Sequence, residues 1–252
     1  VFLFNPFLDA HVMIPILMYH QIGQPSPRGT YLRGATVHPR RFANQMRLLK
    51  MLGYTGVSMK DALPYLRGEK QGKVVAITFD DGYVNVLENA LPILLKHGFT
   101  ATNYMVSGLQ DNGWAQAKGA LPSELMNADQ MRQWHAAGLE VGSHTIDHVY
   151  MTKVGKEEGV RQLRESKAVL ENITQDEVQS FCYPFGDQSL EVREWVREAG
   201  YSNATATFRG LAHAGDDMFA LPRVSILRST HLFNFWQKCC TPREEKKRKR
   251  KG

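Results

Sequence analysis

The chain has 252 residues, 43% of them hydrophobic and 22% charged, which excludes a disordered or fibrous chain and fits one large folded domain. Three cysteines (Cys182, Cys239, Cys240) are too few and too unevenly placed for a small disulfide scaffold, and no stretch reaches the ~18 apolar residues of a membrane-spanning helix. The net charge of +6 is matched by the six cations at positions 246–251, so the remainder is neutral and no basic stripe marks a nucleic-acid surface.

In chain order, residues 1–11 read as an N-terminal extension, apolar at first but broken at Asn5-Pro6. One domain follows over 12–240, and 241–252 reads as a basic, disordered tail able to touch an anionic surface. Within the domain, 14–19 is a compact apolar strand. Phe42, Met46, Leu49 and Leu52 form one helical stripe over 39–52, closed by Gly53. Val-Val-Ala-Ile-Thr-Phe makes 73–79 a buried strand, followed by a helix over 84–97 and a strand over 99–106. Asn127 caps a helix that stops at Gly138. Strands at 139–142, 180–183, 201–207 and 224–227 alternate with helices at 156–172, 190–199 and 231–240. This alternation predicts an α/β fold, a distorted (β/α) barrel of about seven parallel strands. The Gly- and Pro-rich stretch 21–36 and the stretch 107–122 both follow strands, so both are expected to line a substrate groove at the C-terminal rim.

Three segments carry chemistry. Thr78-Phe79-Asp80-Asp81-Gly82 ends a buried strand in two carboxylates, which are costly there unless paired or bound to a cation. His144 and His148, four apart, would lie on one side of a helical turn. With one Asp they would make a three-ligand site with open positions, and a chain this long has no need of a structural metal. Phe181-Cys182-Tyr183-Pro184-Phe185-Gly186 is a strand ending in a turn that could aim a backbone N–H at a developing oxyanion.

In this order the three segments resemble the NodB homology domain of carbohydrate esterase family four, the polysaccharide deacetylases, over roughly residues 12–230. Met18-Tyr19-His20 resembles a segment of the branch that acts on β-1,6-linked N-acetylglucosamine polymers. The resemblance implies a NodB-like barrel in which Asp81, His144 and His148 hold a divalent metal, usually zinc. It makes Asp80 the general base and the Phe185 N–H an oxyanion donor. Tyr19, Tyr183 and Pro184 would contact sugar, and Trp114 is a further stacking candidate. Two positions depart from the family pattern. Cys182 stands where an Arg usually orients the base, which leaves Arg223 as the partner of Asp80. The late Leu-x-His that supplies the acid is absent, which leaves His20, and after it His231.

The expected activity is therefore metal-dependent removal of acetyl groups from an N-acetylglucosamine polysaccharide. The competing readings are an O-acetyl esterase of the same fold and a carbohydrate-binding protein without catalysis. The substrate class implies a location in the cell envelope, periplasmic or secreted, and a monomer is expected.

Overall fold

The computed structural model describes residues 13–249. The expected extension over 1–11 lies outside the described residues.

The strands are β1 (Ile16–Tyr19), β2 (Gln21–Ile22), β3 (Thr36–Val37), β4 (Thr55–Val57), β5 (Val74–Phe79), β6 (Thr102–Met105), β7 (Glu140–Ser143), β8 (Ser180–Cys182), β9 (Asn203–Arg209) and β10 (Leu221–Ser225). The helices are α1 (Pro39–Met51), α2 (Met59–Leu66), α3 (Val84–Asn89), α4 (Leu91–His97), α5 (Gly113–Gln116), α6 (Ala128–Ala136), α7 (Lys156–Thr174), α8 (Leu190–Glu198), α9 (Leu232–Cys240) and α10 (Arg243–Arg248). Among the described residues, seven parallel strands close a ring in the order β1-β10-β9-β8-β7-β6-β5, with β5 returning to β1. The expected parallel barrel is thus the one observed. β4 pairs outside the ring, along the first half of β5.

Strand alternation divides the core in two. Leu17, Tyr19, Val75, Ile77 and Phe79 join the helix side chains Phe42, Met46, Leu94 and Trp134 in the larger cluster. Ile16, Ala76, Tyr104, Cys182 and Leu221 join Met59, Leu63 and Leu66 of α2 in the smaller one. α2 therefore plugs the N-terminal end of the barrel. The Glu140 carboxylate seals the plug by accepting from Thr102 Oγ1 (2.5 Å), Ser180 Oγ (2.6 Å) and the Lys60 N–H (2.9 Å).

Three local expectations change. The helix over 84–97 is two helices, because Pro92 cannot donate to the carbonyl of Glu88 and its ring crowds that turn. β4 and α2 were not legible. Gly56 leaves β4 without a side chain because an added Cβ would sit 2.7 Å from Ile77 and Phe99, and Pro64 interrupts the helical signature of α2. The tail expected to be disordered from 241 is instead helical through α10. Its two acids are buried, Glu244 pairing with Arg209 Nε at 2.7 Å, while Arg248 pairs with Asp216. Reading the run for its cations alone concealed these contacts. No described helix is long and apolar enough to cross a membrane.

Candidate active site

The C-terminal ends of β1, β5, β7 and β8 converge on one small cavity. It is lined by His20, Tyr31, Leu32, Asp80, Asp81, Trp114, His144, His148, Tyr183, Phe185 and Thr207 and encloses about 70 Å³.

Asp80 follows β5 directly, and its N–H donates to the Tyr19 carbonyl. Its carboxylate is gripped from both sides by Arg223 of β10, Nη1 to Oδ1 at 2.6 Å and Nη2 to Oδ2 at 2.7 Å. Arg223 is only 1% exposed. Its remaining N–H groups reach the Ala206 carbonyl, Thr78 Oγ1 and, at 3.1 Å, Cys182 Sγ. The arginine expected as the base's partner thus arrives from β10, and Cys182 fills the space beside it. Burial pushes the Asp80 carboxyl up, but the Arg223 charge and hydrogen bonds outweigh it and hold Asp80 below its ordinary value. A planar bidentate pair of this kind also fixes orientation.

Asp81 turns away from Asp80 through a left-handed backbone (φ 78°). Gly82 (φ 78°) completes the turn, where an added Cβ would meet Met105 Sδ at 2.9 Å. Asp81 Oδ1 then faces His148 Nε2 at 3.2 Å and His144 Nε2 at 3.4 Å. The histidine pair is not on a helical turn, as its spacing suggested. Residues 144–148 form a loop in which Thr145 (φ 68°) and His148 (φ 54°) are both left-handed. Positive φ at a β-branched residue costs ~1–3 kcal/mol and needs support from its surroundings. Buried Gln162 of α7 supplies it by accepting from the N–H groups of Ile146 and Asp147 and donating to the Asp147 carboxylate. The Thr145 hydroxyl also accepts from the His148 N–H.

The donor set fits a divalent metal. Asp81, His144 and His148 are buried and each offers a ligand atom, all within 4.8 Å of one another. His144 Nδ1–H donates to the Cys182 carbonyl at 2.7 Å, which leaves Nε2 as the ring atom that faces the carboxylate. A backbone-oriented His in a two-His, one-carboxylate set is the pattern zinc and similar ions prefer.

His20 lies in the cavity with Nε2 3.9 Å from Asp80 Oδ2 and its side chain one quarter exposed. His231 does not join it. It precedes α9 and lines a separate surface cleft with His38 and Arg41. Phe185 has φ 60°, and its ring packs edge-on against His148 and flat against Tyr150 (3.9 Å).

The expected sugar contacts are largely corrected. Tyr19 is fully buried in the core, packed on Phe42 and Phe79 with its hydroxyl donating to Gln45. Pro184 is buried as well. Tyr183 walls the cavity but is fully buried, its hydroxyl donating to the Phe219 carbonyl. The ring of Trp114 stacks on His148 at 4.1 Å. Both loops expected to reach the site do so, through Tyr31, Leu32 and Trp114. Tyr31, Leu32, Thr207 and Gln162 were not singled out by sequence, although Tyr31 and Leu32 fall in the flagged Gly- and Pro-rich stretch.

Comparison with known proteins agrees with this fold. The polysaccharide deacetylase family profile matches residues 67–204. The Bacillus subtilis protein YxkH, which carries the same family name, is 30% identical over 215 residues, 84% of this chain and 71% of its own. A poly-β-1,6-N-acetyl-D-glucosamine N-deacetylase of Staphylococcus aureus is 21% identical over 217 residues, 81% of this chain and 73% of that protein. The structure of the Streptococcus pyogenes deacetylase PplD in complex with acetate superposes with a TM-score of 0.79 at 26% identity, covering 91% of this chain and 99% of that one. The chain belongs to the polysaccharide deacetylase family, and it is a hydrolase of that family's barrel fold.

Proposed function

We propose that this enzyme removes acetyl groups from the 2-acetamido groups of an N-acetylglucosamine polysaccharide. The observation that carries the reading is a buried carboxylate locked by Arg223 immediately beside the Asp81, His144 and His148 donor set. The cavity beside them, about 70 Å³, has room for a group the size of an acetyl. The polymer then lies across the mouth with one acetyl group in the cavity.

Asp81, His144 and His148 would hold the metal, most simply zinc, which supplies Lewis acidity that lowers the pKa of a water and polarises a carbonyl. Asp80, kept ionised by Arg223, accepts the proton of the attacking water. Arg223 is the positioning residue that keeps the base in one orientation. The backbone N–H of Phe185 donates to the oxygen as negative charge develops on it. His20, beside Asp80 and open to solvent, gives a proton to the departing nitrogen. The carbon–nitrogen bond breaks, leaving acetate and a free amine on the sugar. Such a polymer lies in or outside the cell envelope, and we place the enzyme there.

The test is acetate release from N-acetylglucosamine oligomers by zinc-loaded protein, chelated protein and Asp80→Asn. Release that needs zinc and falls ~10²–10⁴-fold in the variant is expected. Release from acetylated xylan alone would overturn the N-deacetylase reading, and undiminished release after chelation would overturn the metal site.

A further inference from the structure

One ammonium group stands where four rim loops meet. Lys118 Nζ donates to Tyr150 Oη at 3.1 Å and lies 4.6 Å from the ring centroid of Phe185, 5.5 Å from that of Tyr150 and 5.9 Å from that of Tyr31. Lys153 Nζ lies 4.2 Å from the Tyr150 ring centroid. Tyr31 and Phe185 also line the acetyl cavity, so Lys118 borders its rim.

Two features make this lysine available to an anion. Among the described residues, neither Lys118 nor Lys153 has a carboxylate within salt-bridge distance. Lys118 is nevertheless held in place, because the aromatic faces around it attract the ammonium. An ammonium has three donors, and Tyr150 takes one. The other two are free to meet a ligand, and the rings have already removed much of the side-chain freedom that binding would otherwise cost.

We propose that Lys118, with Lys153 beside it, forms a subsite for an oxyanion, a phosphate or a carboxylate, carried by the substrate on the unit next to the reacting N-acetyl sugar. The inference rests on the deacetylase reading and narrows it from neutral polymers to anionic ones. A neighbouring sugar already freed of its acetyl group carries an ammonium and is repelled from the same place.

The test compares three oligomers of equal length, one neutral, one bearing a phosphate and one bearing a carboxylate on the neighbouring unit. Zinc-loaded full-length enzyme is assayed for kcat/KM, and Asp80→Asn is titrated calorimetrically so that binding is read without turnover. At least one anionic oligomer should exceed the neutral one by roughly tenfold, mainly through KM. Lys118→Met should erase that ratio and Lys118→Arg should restore most of it. A preference confined to one oxyanion identifies the group. Equal values for all three oligomers, or a preference that survives in Lys118→Met, overturns the subsite while leaving deacetylation intact. No acetate from any oligomer overturns the functional reading instead, and the calorimetric ratio still decides the subsite.

Discussion

Each end of the barrel holds a buried carboxylate, and the two are treated in opposite ways. At the C-terminal rim, Asp80 is met by a guanidinium and held below its ordinary value. At the N-terminal end, Glu140 is met only by two hydroxyls and a backbone N–H. Burial dominates there and raises its pKa despite those bonds. The contrast separates two uses of a buried acid. Asp80 is stabilised as an anion, as a base must be. Glu140 is an acceptor that ties β6, β7, β8 and α2 together; among the described residues no cation pairs with it, and its three hydrogen bonds favour the charge without offsetting burial. The rim also carries left-handed backbone at Asp81, Thr145, His148 and Phe185. Strain of that kind collects where geometry serves chemistry.

The largest expected effect comes from breaking the rim pair. Arg223→Met leaves Asp80 buried without its partner, which typically costs about 3–5 kcal/mol. Denaturant unfolding should show that loss, and acetate release should vanish with it. Adding Asp80→Asn to Arg223→Met should return much of the stability and none of the activity. Additive losses in that double-mutant cycle would contradict the pairing. Next in size is the metal. Zinc at about a hundred times its dissociation constant should stabilise the wild type by about 2.7 kcal/mol, because it binds only the folded chain. His148→Ala should lose that increment, and an equal zinc response in the variant would remove His148 from the donor set.

The rim was legible in the sequence to the extent that its residues are contiguous. Asp80, Asp81, His144, His148 and Phe185 sit in short segments at strand ends, and Arg223 could be paired with Asp80 because Cys182 stands where the resembled family has its Arg. What failed was everything decided across loops. The spacing of His144 and His148 suggested a helix, whereas Gln162, far along the chain, folds them into a strained turn. Tyr19 precedes a cavity residue, but strand alternation turns its ring to the helices while His20 faces the site. The meeting of Lys118 with Tyr31, Tyr150 and Phe185 joins four separate loops and leaves no local signature. Glu140 was equally silent, since one Glu at a strand start looks like any surface acid until α2 closes over it.

The smallest effect sharpens the comparison most, because the two acids should respond to pH with opposite sign. Asp80 has a folded pKa below its unfolded one. Its contribution is present above the unfolded value and is lost as pH falls through the folded one. Glu140 has a folded pKa above its unfolded one. Its contribution is complete below the ordinary value of 4.5 and is lost as pH rises through the raised folded value. Glu140→Gln keeps a similar shape, and its oxygen can still accept from one hydroxyl while its amide donates to the other, so the change should cost under about 1.5 kcal/mol. The variant should lose the stability difference that the wild type shows between mildly acidic and neutral pH, with acetate release at neutral pH near wild type. Unfolding midpoints at a series of pH values measure this directly. A slope that persists in Glu140→Gln would assign it to other groups and would remove Glu140 from the comparison with Asp80.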